Sequence, residues 1–306
     1  MKSDASNQEH DAPTPDLVEA VLTWFEKNKR DLPWRSAERT PWAVLVSEVM
    51  LQQTQVARVT PIWIDWMERW PTPSDLAAAP TDEVLRRWGR LGYPRRALRL
   101  QQAARVIAKE HFGEVPDDEA TLRLLPGVGE YTAAAVVAFA YDQRSIVLDT
   151  NVRRVLARAL AGQAQPGNAL TAAERRAAGA ITPNDGPRAA RWSVAVMELG
   201  ALVCTASSPD CSVCPIADKC AWRQRGFPAS EVVRRPTKPF IGTNRHVRGL
   251  LMAALRDAPH AIAHDELMAK CPDPTQASAC LASLIDDRLI ERGNDQTYRL
   301  RTSLSD

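Results

Sequence analysis

The stretch Leu125-Pro126-Gly127-Val128-Gly129 is followed by an alanine-rich run over residues 132–140. One proline and two glycines within five residues predict a tight hairpin, and the alanine-rich run predicts a helix directly behind it. Glycine lets a phosphate group approach the backbone N–H groups, and the first turn of a helix favours an anion. The stretch therefore indicates a hairpin that contacts phosphate, with an ordinary helix–helix corner capped by glycine as the alternative.

Helical periodicity extends outward from this hairpin in both directions. Apolar residues recur at helical spacing from Leu17 to Phe25, and Leu32-Pro33-Trp34 ends that helix. We expect further helices over residues 42–58, 82–88, 95–112, 152–160, 171–180 and 188–203. Because no strong alternation of apolar and polar residues occurs before residue 230, the main body is predicted to be almost entirely helical.

The composition is that of a soluble globular protein, with 45% apolar and 25% charged residues among 306. This length predicts two or three domains. No apolar run approaches the ~20 residues of a membrane span, and the polar first fifteen residues lack the apolar core of a signal peptide. We therefore expect a cytoplasmic protein with reduced thiols, whose six Cys are better read as ligands than as disulfides.

The basic residues are concentrated although the net charge is only +2. Residues 84–108 contain no acid and seven arginines: Arg86, Arg87, Arg90, Arg95, Arg96, Arg99 and Arg105. A solvated helix normally mixes both signs of charge. The run therefore predicts a surface that faces a polyanion, with an ordinary charged helix face as the alternative.

Two carboxylates stand in unlike surroundings. Glu48 shares a predicted helix face with Val44 and Leu51, and because burial disfavours a charged carboxylate, this position suits a general acid. Asp149 follows an apolar run and can cap the next helix, whose first N–H groups keep it ionised. Two such carboxylates suit hydrolysis of a glycosidic-type bond, although a paired structural acid and a simple cap are the alternatives.

Four cysteines cluster within seventeen residues with the spacing C-x6-C-x2-C-x5-C: Cys204, Cys211, Cys214 and Cys220. Four thiolates this close can hold zinc or an iron–sulfur cluster. Structural zinc usually uses two paired knuckles, whereas only one C-x2-C pair is present. The spacing therefore favours a cluster and leaves zinc as the alternative.

Taken together, these motifs resemble the helix-hairpin-helix DNA glycosylases with an iron–sulfur cluster, the superfamily of endonuclease III. Within it the chain resembles the adenine DNA glycosylases of the MutY type. The matching motifs are Ser47-Glu48-Val49-Met50-Leu51-Gln52-Gln53-Thr54-Gln55-Val56, the hairpin, Leu148-Asp149 with Asn151-Val152, and the four cysteines. They cover about residues 17–228 in the family's order.

This resemblance implies the chemistry. The partner is double-stranded DNA in which adenine is mispaired with 8-oxoguanine or guanine, and the adenine is flipped out before its glycosidic bond is cut. Glu48 protonates the base, Asp149 stabilises the oxocarbenium-like sugar, and Asn151 supports Asp149. Tyr131 stands where endonuclease III relatives carry a nucleophilic Lys, which implies a monofunctional glycosylase. The four cysteines would hold a [4Fe-4S] cluster.

The resemblance also assigns DNA contacts. Gln52 and Gln53 would approach the base opposite the adenine, and Tyr93 would be the aromatic wedge beside it. The hairpin residues that meet the backbone are Gly127, Val128 and Gly129. Arg30 and Glu198 would line the adenine pocket, although Glu198 suits a buried paired acid equally. Two alternatives stay open, an endonuclease III-like enzyme for oxidised pyrimidines and a non-catalytic iron–sulfur DNA-binding regulator.

The domain organisation follows from these assignments. We expect a disordered tail (residues 1–15), a two-lobed glycosylase domain (16–228) with its iron–sulfur loop (204–220), a linker (229–245) and a winged-helix-like domain (246–302) of three helices and a β-hairpin. MutY-type relatives usually carry a Nudix-like domain that reads 8-oxoguanine, which this last segment does not resemble. We therefore expect the base opposite adenine to be read mainly by the glycosylase body of a monomeric, cytoplasmic and, in a bacterium, nucleoid-associated protein.

Overall fold

A computed structural model describes residues 15–230, 232 and 239–303. Residues 1–14 of the predicted tail and most of residues 231–238 of the predicted linker lie outside the described residues. The chain divides into two compact units. The first contains the described parts of Met1–Asp31 and Val137–Arg234, and the second contains those of Leu32–Val136 and Arg235–Asp306.

Helices dominate the described chain. In order they are α1 (Pro15–Asn28), α2 (Pro41–Leu51), α3 (Val56–Arg69), α4 (Pro73–Ala78), α5 (Thr81–Trp88), α6 (Arg95–Glu110), α7 (Glu119–Leu122), α8 (Glu130–Tyr141), α9 (Thr150–Ala159), α10 (Ala172–Ile181), α11 (Gly186–Leu202), α12 (Ala221–Gln224), α13 (Asn244–Asp257), α14 (His264–Met268) and α15 (Pro274–Asp286). Three short strands, β1 (Ile262–Ala263), β2 (Ile290–Arg292) and β3 (Thr297–Leu300), lie near the C-terminus. None of the described helices is both long and apolar enough to cross a membrane.

The first unit is held together by α1, α9 and α11. Its buried core includes Val21, Val155, Val196 and Leu199 from these three helices. The apolar residues at helical spacing in residues 17–25 are thus the inner face of α1, as predicted. The second unit is centred on Trp66 of α3, whose ring makes edge-to-face contacts with Trp70 and Trp88.

One predicted helix is wrong in its extent. Instead of a single helix over residues 42–58, α2 ends at Leu51 and α3 begins at Val56. Gln53, between them, has a φ of 54°, which lies in the left-handed region and cannot continue a right-handed helix. The sequence interpretation also missed α4 and most of α3, because prolines at 71, 73 and 80 suggested turns.

The C-terminal segment is winged-helix-like, as predicted. Helices α13, α14 and α15 accompany an antiparallel sheet of order β1-β3-β2. Ile290 pairs with Leu300 in the predicted hairpin, and Ile262 pairs with Tyr298. The two-residue strand β1 was not predicted, since so short a strand has no periodicity to read. The other predicted helices agree with the structure to within a few residues.

Candidate active site and iron–sulfur loop

Glu48 lies in α2, in which every side chain from Trp42 to Met50 is buried. Glu48 is only 6% exposed. The hydroxyl of Tyr131, in the first turn of α8, donates a hydrogen bond of 2.9 Å to Glu48 Oε2. The structure therefore brings the predicted general acid together with Tyr131, which lies just after the hairpin.

Arg96 of α6 holds the end of α2 in place. Its Nη1 donates to the backbone carbonyls of Val49 (2.8 Å), Met50 (3.1 Å) and Gln52 (2.6 Å). Its Nη2 donates to Thr54 Oγ1 and to the carbonyl of Gly92, each at 3.1 Å. The carbonyls that the helix end leaves unpaired thus find a donor, and burial lowers the pKa of Arg96 to about 10.

These bonds bring two predicted DNA-contact segments together. Gln52, whose Nε2 donates to Thr132 Oγ1 at 3.3 Å, and exposed Gln53 follow α2. Tyr93 lies in the loop between α5 and α6, with a φ of 46° and 42% of its surface exposed. Because Arg96 binds carbonyls on both sides, Tyr93 and the two glutamines belong to one rigid assembly.

The hairpin has the geometry that its glycines predict. Gly127 has a φ of 82°, and a Cβ there would lie 2.8 Å from Cβ of Arg99, so only glycine fits. A Cβ on Gly129 would meet no atom within 4 Å, and the carbonyl of this residue opens α8 by accepting from Ala133 N. Val128 is buried. The backbone at Gly129 is therefore open to a large anion such as a phosphate.

Most of the arginine-rich run makes intramolecular contacts, and the predicted polyanion-facing surface stays a prediction. Besides Arg96, four of its members bind protein groups: Arg86 (three carbonyls after and within α13), Arg87 (Asp65, 3.2 Å), Arg95 (Asp287, 3.1 Å) and Arg105 (carbonyl of Ala77, 3.4 Å). Five of the seven arginines thus serve intramolecular contacts. The sequence could not show this, because their partners come from distant segments.

Asp149 lies at the N-cap of α9, as predicted. Its Oδ1 accepts from Val152 N at 2.6 Å, and its Oδ2 accepts from Asn151 Nδ2 at 2.7 Å. Burial nevertheless raises the pKa of Asp149, because desolvation outweighs these hydrogen bonds and the nearby charge of Arg154. The pKa shift of Asp149 is therefore opposite in direction to the one that a solvent-exposed N-cap implies.

Asn151 and Arg154 connect Asp149 to the cysteine loop within the first unit. Arg154 Nη2 donates to Asn151 Oδ1 at 2.8 Å and to the carbonyl of Gly200 at 2.6 Å, and its Nε donates to the carbonyl of Cys204 at 2.7 Å. The side chain that orients Asp149 is therefore itself fixed by the backbone that carries the first cysteine.

Arg30 and Glu198 form a closed ion pair, also within the first unit. Arg30 donates to Glu198 from Nε and Nη2, each at 2.8 Å, and from its backbone N at 2.9 Å. Glu198 is fully buried in α11. The pair matches the paired-acid alternative, and the predicted role in the adenine pocket stays a prediction.

The four clustered cysteines line one pocket together with apolar residues of α9 and α11. Burial raises the pKa of Cys214 to about 11, and the neighbouring thiols add to the rise. Arg158 Nη1 donates a hydrogen bond of 3.3 Å to Cys204 Sγ. Four thiols that line one pocket can together ligate an iron–sulfur cluster.

Comparison with known proteins places these features in a family. Residues 204–220 match the family described as "Iron-sulfur binding domain of endonuclease III", and residues 46–178 match "HhH-GPD superfamily base excision DNA repair protein". Over 281 residues the chain is 50% identical to an adenine DNA glycosylase of Mycobacterium tuberculosis, covering 92% of both chains. The chain belongs to the adenine DNA glycosylase family.

Solved structures agree with this assignment. A thermostable thymine-DNA glycosylase superposes with a TM-score of 0.61 at 27% identity, covering 68% of this chain and 95% of its own. Endonuclease III trapped as a covalent intermediate with DNA gives 0.58 at 25% identity, covering 69% and 95%. The fold of a helix-hairpin-helix DNA glycosylase is confirmed, and the cysteine loop is the binding site of a [4Fe-4S] cluster. Family membership disfavours both alternatives that the sequence left open.

Sequence interpretation missed two residues that position the site. Arg96 was counted as a DNA-facing cation, whereas it binds the end of α2. Arg154 was not singled out, although it holds Asn151. The only available signal for Arg154 was its position five residues after Asp149, near the beginning of the same predicted helix, and no comparable signal existed for Arg96.

Proposed function

We propose that the protein hydrolyses the N-glycosidic bond of adenine mispaired with 8-oxoguanine or guanine in double-stranded DNA. The observation that carries this proposal is the buried carboxyl group of Glu48, hydrogen-bonded to Tyr131 at the end of α2. Membership of the adenine DNA glycosylase family supports the choice of base. Flipping the adenine out of the duplex costs a few kcal/mol, which contacts around the site offset.

Glu48 donates a proton to N7 of the flipped adenine in this proposal. Protonation turns the base into a better leaving group, which is general acid catalysis. The carboxyl group of Glu48 is buried in α2, and the hydroxyl of Tyr131 orients it. Because the residue at this place is Tyr and not Lys, no amine is available to attack the sugar, so the enzyme is monofunctional.

Asp149 acts on the sugar. As the bond to adenine breaks, the deoxyribose becomes oxocarbenium-like and its positive charge is stabilised by the Asp149 carboxylate until water attacks. Asn151 fixes the orientation of this carboxylate by donating to Oδ2. Glu48 and Asp149 thus take the roles of proton donor and charge stabiliser.

The proposal also assigns residues that contact DNA. The open backbone at Gly129 binds a phosphate, Tyr93 enters the duplex as a wedge, and Gln52 and Gln53 approach the base opposite adenine. The Arg30–Glu198 pair lines the adenine pocket.

The [4Fe-4S] cluster is structural in this proposal, and its four thiolate ligands are Cys204, Cys211, Cys214 and Cys220. The cluster supplies the cross-link that fixes residues 204–220. Arg154 donates hydrogen bonds to the carbonyl of Cys204 and to Asn151 Oδ1, so a fixed cysteine loop also fixes the position of Asn151. We further propose the domain boundaries at 228 and 246, and a monomer that works in the cytoplasm on nucleoid DNA.

The test is excision from duplexes that differ only at one base pair. Wild-type protein is incubated in excess with adenine opposite 8-oxoguanine, guanine or thymine, and with an oxidised pyrimidine opposite guanine. Abasic sites are then cleaved with alkali. We expect rapid cleavage with 8-oxoguanine and guanine, and strand breaks only after alkali.

Three results would contradict the proposal. Excision of the oxidised pyrimidine without excision of adenine would assign the enzyme to another substrate class. Strand breaks before alkali, at the rate of base release, would show a lyase step and overturn the role given to Tyr131. The absence of all cleavage by cluster-loaded protein would remove the enzymatic function altogether.

A further inference from the structure

Arginines and aromatic rings alternate in a column that passes through Tyr93. The guanidinium carbon of Arg245 lies 4.5 Å from the Tyr93 ring centre and 5.8 Å from that of Phe240. On the inner side, Arg96 lies 5.8 Å from the Tyr93 ring centre and 5.1 Å from that of Trp88. Tyr93 is thus in contact with a half-buried arginine and an exposed one, and the outer half of the column, Phe240 and Arg245, comes from the C-terminal segment. These distances fall within the range of cation–π contacts.

Arg245 belongs to a helix that is anchored to the same loop region at its other end. It lies in the first turn of α13, while the carbonyls at the end of this helix accept hydrogen bonds from Arg86 Nη1, including that of Ala258 at 3.0 Å. Asp287, which follows α15, pairs with Arg248 at 2.5 Å and with Arg95 at 3.1 Å. Helix α13 is therefore attached to the chain both before Tyr93, through Arg86, and after it, through Asp287 and Arg95. These contacts fix the position of Arg245.

Helix α15, which a winged-helix protein would place in a DNA groove, contains no Lys or Arg. The helix ends at Asp286 and is followed by Asp287, so acidic residues stand at its end. These features argue against groove reading by this helix and leave the Tyr93 contact as the place where the C-terminal segment meets the proposed DNA site.

We propose that Arg245, stacked between Tyr93 and Phe240, is a positioning residue that holds Tyr93 in the orientation needed to enter the duplex. Tyr93 has a backbone φ of 46°, which is unfavourable for a tyrosine, and the guanidinium groups of Arg96 and Arg245 both contact its ring and restrict its orientation. The C-terminal segment thereby takes part in reading the base opposite adenine. This inference rests on the wedge role within the proposed function, and it departs from the expectation that the glycosylase body reads that base alone.

The experiment measures wedge insertion separately from base excision. The duplex contains 8-oxoguanine paired with 2′-fluoro-deoxyadenosine, which resists excision because the fluorine disfavours the cationic sugar. A 2-aminopurine lies next to the 8-oxoguanine in the same strand. Insertion of Tyr93 unstacks the 2-aminopurine and raises its fluorescence. Full-length, cluster-loaded wild type is compared with two variants at Arg245: Arg245→Met, which keeps a long side chain without its charge, and Arg245→Lys. It is also compared with Tyr93→Ala, alone and combined with Arg245→Met. The control is Arg292→Met, which removes an exposed cation of the same domain far along the chain from Tyr93.

In the bound duplex, the equilibrium constant for insertion is the ratio of bright to dim complexes. We expect Arg245→Met to lower this constant by about 2- to 30-fold, which corresponds to the energy range of cation–π contacts. Arg245→Lys should retain most of the signal, and Arg292→Met should retain it fully. In the Tyr93→Ala background, Arg245→Met should add no further loss, because its effect acts through Tyr93.

Other outcomes overturn the inference. If Arg245→Met and Arg292→Met weaken binding equally and leave the fluorescence of saturated complexes unchanged, Arg245 is only a phosphate contact. If wild type gives no fluorescence rise, Tyr93 is not a wedge. Excision by wild type on the unmodified mispair is measured in parallel, so a bright complex without excision would contradict the proposed function and not the role of Arg245.

Discussion

The two acids differ in what holds them. Glu48 lies within an apolar helix, and its surroundings are fixed by Arg96, which reaches the end of α2 from α6. Asp149 lies at the beginning of a helix and is bound by backbone N–H and by Asn151, behind which Arg154 reaches the cysteine loop. In both regions an arginine that binds backbone carbonyls supports the acid without touching it.

The difference indicates a division of labour. An apolar helix face favours a protonated carboxyl group, as a general acid requires. A helix N-cap with two hydrogen-bond donors favours a carboxylate, although burial works against the charge and raises the pKa of Asp149. Ionisation of Asp149 is therefore less favourable in the folded protein than in water, which is common for groups at functional sites.

The largest expected effect is the loss of the Asp149 charge. Asp149→Asn should reduce the single-turnover excision rate by roughly 10²- to 10³-fold, the range for removal of one transition-state-stabilising group. Asp185→Asn is the matched control, since Asp185 is also an N-cap in the same unit, accepting from Arg188 N at 2.9 Å. Asparagine caps helices about as well as aspartate, so neither change should unfold the protein. Equal rates for the two variants would contradict the role of Asp149.

An intermediate effect is expected at Arg96. Arg96→Met leaves several buried carbonyls without their donor, which should cost on the order of 3 kcal/mol of unfolding free energy and lower the excision rate about tenfold. Arg87→Met, in the same arginine-rich run, removes only a half-exposed pair with Asp65 and should cost under about 1 kcal/mol. Urea unfolding and single-turnover rates compare the two. If both variants lost only duplex affinity, the run would face DNA after all.

The smallest effect concerns pH. Because the pKa of Asp149 is raised in the folded protein, folding takes up a proton between the folded pKa and the ordinary value of 3.8. The stability cost of this group is therefore present above its folded pKa and is relieved as the pH falls through it. Relative to Asp149→Asn, wild type should therefore gain melting temperature as the pH falls from neutral towards 3.8. A wild type that instead lost stability relative to Asp149→Asn would show that the hydrogen bonds outweigh burial.

The local features of the site could be predicted from the sequence. The hairpin glycines, the cap at Asp149 and the four cysteines depend on residues that are close along the chain, so their spacing carries the information. The helix order was confirmed for the same reason, because periodicity within a helix is local.

The long-range contacts could not be predicted. The break between α2 and α3 depends on Arg96, more than forty positions away from the carbonyls that it binds. The partners of Arg86 and Arg95 lie about 170 and 190 positions further on, so an arginine-rich run that binds protein has the same pattern as one that binds DNA. Only the three-dimensional structure distinguishes these two uses.

The central claim is that Glu48 acts on the base while Asp149 acts on the sugar. The most direct test compares excision of adenine with excision of 7-deazaadenine, which lacks N7, by wild type, Glu48→Gln and Asp149→Asn under single-turnover conditions. We expect wild type to lose about 10²- to 10⁴-fold on 7-deazaadenine, Glu48→Gln to add little to that loss, and Asp149→Asn to slow excision of both bases. If Glu48→Gln slowed both bases by the same factor, Glu48 would not be the proton donor to N7 and the division of labour would be wrong.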